Sequence, residues 1–304
     1  ERASAGNRLE AAGALTELVS REWELGSLRD CWTEAMDGHG QSVLISGDAG
    51  IGKSRLVRAL KDRLAAEQPL VLEARSSPYH RNSPLHPVVE MLSQLLRFER
   101  SDAVEARVDK LRGFLSKARF SLSDGLGVLA PLLSLPVPAS VVVPKLEPVR
   151  QREKTLSTVL KLLETVAAKT PVLWIVEDLH WADPTTLELL GLMVERGEFT
   201  RILTVMTART EYAPPWANRS GLKPIQIGRL SRREAELMIL RLAGGKRLPR
   251  EITARLVENA DGIPLFIEEL TRNVLTSGVL RETQTGFELA GPIATLAIPS
   301  TLKD

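Results

Sequence analysis

The sequence predicts an open, mostly parallel α/β sheet of five strands flanked by helices, followed by a C-terminal helical lid domain. Three observations carry this. Short, wholly apolar runs at 43–45 and 172–176 read as strands covered on both faces. They alternate with stretches whose apolar residues recur every three or four positions, the pattern of helices packed on a sheet. From residue 231 onward three helical patterns succeed one another and no further strand is needed.

In order, a helix begins near Arg21, with Leu25, Leu28 and Trp32 on one face, and fades at 37–40. The first strand, 43–45, runs into Gly47, and a helix over 53–66 follows with Leu56, Val57, Leu60 and Leu64 on one side. Residues 70–73 read as a second strand. The stretch 76–150 then departs from alternation, with proline-rich loops and helices near 87–98 and 103–117, and reads as an insertion. The apolar tract 128–143, broken by Pro131, Pro136 and Pro138, reads as loop and is too interrupted for a membrane span. An amphipathic helix at 155–168 leads into the strand 172–176, where Asp183 and Pro184 signal the N-cap and first turn of a helix over 185–195. Residues 202–207 and 224–227 complete the sheet. The lid consists of helices at 232–243, 250–259 and 264–276, and Ser300 after Pro299 looks like the N-cap of one more.

Composition excludes several classes. Forty Lys plus Arg against 38 Asp plus Glu leave a net charge of +2, no basis for a nucleic-acid-coating surface. Cys31 is the single cysteine, which excludes an internal disulfide or a cysteine-built zinc site and fits a reducing compartment, with the cytoplasm as default. The four histidines are dispersed without metal-site spacing. The chain begins at Glu1 with no apolar signal-peptide core and reads as a fragment.

The chemistry concentrates in three places. Gly47, Asp48, Ala49, Gly50, Ile51, Gly52, Lys53 and Ser54 form the phosphate-cradling pattern of a P-loop NTPase. Its glycines let main-chain N–H groups turn toward phosphate oxygens, the following helix offers its positive end, Lys53 reaches the β and γ phosphates, and Ser54 supplies a hydroxyl to Mg²⁺. Arg55, next in line, is counted with the nucleotide-binding residues. Glu177 and Asp178 end an apolar strand at the edge where open α/β sheets bind ligands. One suits Mg²⁺ and the other the attacking water, and the two could exchange roles; a helix-capping acidic turn is the plainer alternative. Thr207 and Arg209 end the neighbouring strand, placing a cation that could sense the γ-phosphate or simply be solvated.

Taken together, residues 19–22 (Val-Ser-Arg-Glu), the glycine loop, the run 172–183, Thr207 to Arg209, and Gly262-Ile263-Pro264-Leu265-Phe266 closely resemble the STAND class of signal-transducing, AAA+-like ATPases. The narrower likeness is to modules downstream of class III adenylyl/guanylyl cyclase domains and in LuxR-type large ATP-binding regulators, strengthened by residues 76–80 and 297–302. The resemblance implies ATP/ADP and Mg²⁺ as ligands, with Val19 and Arg21 beside adenine and ribose and Pro264 packing on the base. It implies partners in the chain's own flanking domains: a class III cyclase before it, a winged helix and helical repeats after it. Nucleotide-dependent self-association is a further expectation, and the charge balance and the lack of a membrane-span tract argue against direct nucleic-acid or membrane contact. On this reading 1–15 is a linker, 16–230 the nucleotide-binding domain, 231–290 the lid and 291–304 the start of a further domain. The expected function is a slowly hydrolysing regulatory ATPase, no arginine finger being assignable; an inactive ADP-holding scaffold and an AAA+ remodelling motor are the alternatives. Two departures stand out: Ser20 where the family has Gly, and Glu177 where Asp commonly holds Mg²⁺.

Overall fold

A computed structural model describes residues 18–139, 141–143, 145–196, 200–284 and 286–290; the expected linker at 1–15 and the segment 291–304, with Ser300, lie outside them. Five strands form one wholly parallel sheet: β1 Gln41–Ser46, β2 Leu70–Arg75, β3 Val172–Glu177, β4 Ile202–Ala208 and β5 Leu222–Gln226, in the order β2-β3-β4-β1-β5. Burial follows position. Central β4 is buried along its whole length and β3 at five of six residues. β2, at one edge, buries Leu72 and Ala74 while Glu73 and Arg75 face solvent. Pro224 sits in β5, the opposite edge strand, where a missing N–H disrupts no ladder on the open side. Because all strands are parallel, β1, β2, β3 and β4 end at one edge; Arg75 lies opposite Glu177, and Ser46 opposite Ala208.

The helices are α1 Glu22–Met36, α2 Lys53–Leu64, α3 His86–Leu95, α4 Val104–Lys117, α5 Leu122–Leu132, α6 Pro148–Ala167, α7 Pro184–Arg196, α8 Arg232–Leu242, α9 Arg250–Ala260 and α10 Pro264–Thr276. Two expectations are corrected. The first part of the apolar tract read as loop is helical: α5 is capped by Ser121, whose hydroxyl accepts the Asp124 N–H, and buries residues 125–130. Pro131 falls in its last turn, where a proline ends a helix rather than breaking it. Gly125 permits the packing, since a Cβ there would come within 2.8 Å of Leu115. The second correction is an antiparallel pair, β6 Leu280–Glu282 with β7 Phe287–Leu289, in the region expected to hold helices alone. Three-residue strands are too short for period-two alternation to register. A main-chain bond from Phe287 N–H to Arg247 O, 2.9 Å, ties this ribbon to the segment before α9.

The described residues fall into two compact units. A strand unit comprises Glu24–Ser46 and Leu60–Gln226; a helical unit takes in Gly47–Ala59, Ile227–Asp304 and Glu1–Trp23 as far as they are described. The strand unit has one large core in which Trp174, Met206, Leu162 and Leu189 meet. The helical unit has its own, built from Val19, Leu230, Met238, Ile252, Leu256, Ile267 and Leu270. Among the described residues no helix is long and apolar enough to cross a membrane.

Candidate functional site

Residues 47–54 form a loop entering α2, as their glycine spacing predicts. Gly50 and Gly52 have φ of +75° and +102°, left-handed values that a side chain would strain. Lys53 closes the loop, its ammonium donating to Gly47 O at 2.8 Å and Asp48 O at 2.9 Å. The N–H groups of Gly50, Gly52 and Ser54 donate to no protein acceptor among the described residues. Unsatisfied donors at the start of a helix, with a lysine beside them, make an anion cradle suited to phosphate.

The loop is held by the turn between α9 and α10, which belongs to the same unit. Asp261 and Gly262 are both left-handed, and a Cβ on Gly262 would lie 2.5 Å from Leu230 O, so glycine is demanded twice over. Pro264 occupies the first turn of α10, where its missing N–H costs nothing. Leu265 N–H, one of that helix's orphan donors, reaches Gly50 O at 3.2 Å. Arg229 spans Asp48, at 3.8 Å, and Asp261. Val19 is buried in the helical core, and Arg21 donates to Gly228 O. Ser20 has φ of +58°, a conformation natural to glycine, and its hydroxyl bonds the Glu234 carboxylate. The departure at Ser20 is thus accommodated by a side-chain contact.

In the strand unit, Glu177 ends β3 and Asp178 leaves it in left-handed conformation, φ +58°, opening the short turn Leu179–Trp181. Thr207 Oγ1, buried at the end of β4, accepts the Asp178 N–H at 3.0 Å. Asp178 Oδ2 takes two donors from Arg75 at the end of β2, Nε at 2.8 Å and Nη2 at 2.7 Å. Arg75 was not legible as a site residue in the sequence, although it is the last residue of β2 as Arg209 is the first after β4. Arg209 lies 6.0 Å from the Trp181 ring centroid and 3.9 Å from Glu211. Asp183 is the N-cap expected: Oδ1 accepts the N–H groups of Thr185 and Thr186, both at 3.0 Å. Glu268, which binds Arg55 at 3.1 Å, is a second residue sequence reasoning passed over, its only signal being a position four after Pro264.

Among the described residues no group of three or more His, Cys, Asp or Glu is placed to hold a metal. Mg²⁺ does not require one, since it binds through one or two carboxylates and keeps water and phosphate oxygens as its other ligands. Ser54 in the helical unit carries a hydroxyl, and Glu177 and Asp178 in the strand unit carry carboxylates, each a hard oxygen donor of the kind that it prefers.

A glycine loop between a strand and a helix, in a chain whose parallel sheet has another strand ending in two acidic residues, defines a P-loop nucleotide-binding protein. The chain belongs to the AAA ATPase domain family, whose model matches residues 17–205. It is 31% identical over 299 residues to an uncharacterised protein of Rhizobium meliloti (strain 1021), covering 94% of this chain and spanning only 28% of that protein. The Drosophila origin recognition complex bound to DNA shares the fold at TM-score 0.51 and 15% identity, over 90% of this chain and 61% of that one. A STAND protein with a tetratricopeptide repeat sensor from Pyrococcus horikoshii aligns at TM-score 0.48 and 17% identity, over 85% of this chain and 30% of that one.

Proposed function

We propose that this chain is the ATP-binding, slowly hydrolysing switch module of a larger signalling protein of the STAND kind. The observation that carries it is the loop 47–54, with left-handed glycines, unsatisfied N–H groups and Lys53 in place. The amides and Lys53 take the phosphates, while Val19, Arg21 and Pro264 serve the nucleoside end. Ser54 would offer its hydroxyl to Mg²⁺ and Glu177 is the carboxylate suited to it; the ion would supply charge neutralisation at the phosphates. Asp178 orients the attacking water and accepts its proton, and Arg209 reads the γ-phosphate. Slow turnover fits an Asp178 whose oxygen already serves Arg75, and a sequence with no assignable arginine finger, a group worth about 10³–10⁵ in related phosphoryl transfer. A relative more than three times as long supports a role inside a multidomain chain. A cyclase or transcriptional output, in the cytoplasm, is the setting we infer.

Phosphate release and fluorescent-nucleotide binding, measured side by side, test this. Wild type should release phosphate slowly and only with Mg²⁺, Asp178→Asn should bind ATP without releasing phosphate, and Lys53→Ala should lose triphosphate affinity. Binding without release in wild type would replace the switch by an ADP-holding scaffold. Fast turnover with a ring in sedimentation would replace it by a remodelling motor.

A further inference from the structure

Arg55 follows Ser54 in the first turn of α2, and its Nη1 lies 3.1 Å from Glu268 Oε2, with the two side chains 17% and 14% exposed. Glu268 uses its other oxygen as well, Oε1 meeting Arg272 at 2.7 Å one turn along α10. One turn back, Leu265 N–H holds Gly50 O, and a Cβ on Gly50 would come to 3.0 Å from the Leu265 Cβ. The start of α10 is therefore fastened to the phosphate loop and its helix at two points, one through the main chain and one ionic.

The ionic point differs in kind from the other charge contact nearby. Arg229 and Asp48 are about half exposed and 3.8 Å apart, so water screens them and they contribute little. Arg55 and Glu268 are largely withdrawn from water, where a charge-assisted hydrogen bond is strong and directional. Glu268 keeps Arg272 when Arg55 lets go, so opening leaves no lone buried carboxylate and the contact is reversible.

We propose that Glu268 is a positioning residue that latches α10 onto the phosphate loop through Arg55, and that this latch sets how fast bound nucleotide leaves. The proposal rests on reading residues 47–54 as the nucleotide site. Nucleotide held on the loop amides beside Pro264 departs when the start of α10 moves off Gly50, and the ion pair resists that movement. Losing one partner of a desolvated charge pair acts mainly on dissociation, while association rates change little.

The test preloads the 304-residue chain with mant-ADP and chases it with excess ADP in a stopped-flow instrument. Glu268→Gln, which keeps shape and removes charge, should release mant-ADP roughly tenfold faster, with association changed by less than about threefold. The reversed pair Arg55→Glu with Glu268→Arg should regain most of the slow release. Release from Glu268→Gln within about twofold of wild type overturns the latch. Hydrogen exchange at the Leu265 amide gives a second readout without nucleotide: faster exchange in Glu268→Gln supports the latch, and unchanged exchange overturns it. Failure of wild type to bind mant-ADP would sink the nucleotide reading instead, and the exchange measurement would still decide the latch.

Discussion

The phosphate loop and the acidic turn after β3 are built by opposite means. In the loop, shape comes from the backbone: glycines at φ of +75° and +102°, and a lysine bonded to carbonyls five and six residues away. Its instructions lie within eight consecutive residues. In the turn, Asp178 is oriented by partners distant in sequence, Thr207 by 29 positions and Arg75 by 103. Local chemistry places the carboxylate at the strand end, and the sheet order then decides which cation meets it. A motif of the first kind announces itself, whereas one of the second kind hides its working parts.

The sharpest break in this comparison is Asp178→Asn. Phosphate release should fall about 10²–10⁴-fold while nucleotide affinity stays, because the loop does not depend on the turn for its shape. Gly262→Ala comes next: a Cβ 2.5 Å from Leu230 O, at φ +69°, should destabilise the protein by about 2–4 kcal/mol in denaturant melts. Arg75→Ala should cost about 1 kcal/mol or less, since that pair is 42% and 25% exposed. A larger loss would mean that Arg75 supports the fold and not Asp178 alone.

Smaller still is an effect of pH on the start of α8. The Ser20 hydroxyl and the Ser231 main chain hold the Glu234 carboxyl below its ordinary value of 4.5. A depressed carboxylate stabilises the folded state above the unfolded value and loses that contribution as pH falls through the folded one. Acid titration below about 4.5 should therefore destabilise wild type more than Glu234→Gln, read from thermal midpoints. Ser20→Gly should change stability by about 0.5 kcal/mol at most, relief of left-handed strain offsetting loss of the hydroxyl. It should also remove part of the Glu234 pH response.

Much of the fold was legible because its signals are local. Apolar runs at 43–45 and 172–176 lie inside β1 and β3, and Pro264 to Thr276 is helical as its periodicity says. The tract at 128–143 misled because three prolines outweighed an apolar surface that tertiary burial turned into α5. The partner of Arg55 was illegible for another reason: its ion pair with Glu268 crosses 213 positions.

By itself the sequence determined what depends on neighbours along the chain: the strands, the helices, and a loop whose glycines and lysine can curl around an anion. Tertiary structure alone decided which strand ends lie side by side, and hence that Arg75 holds Asp178. It also chose Glu268 as the partner of Arg55. The reason is physical: backbone conformation is set over a few residues by sterics, whereas pairing of charges depends on where folding brings distant side chains out of water.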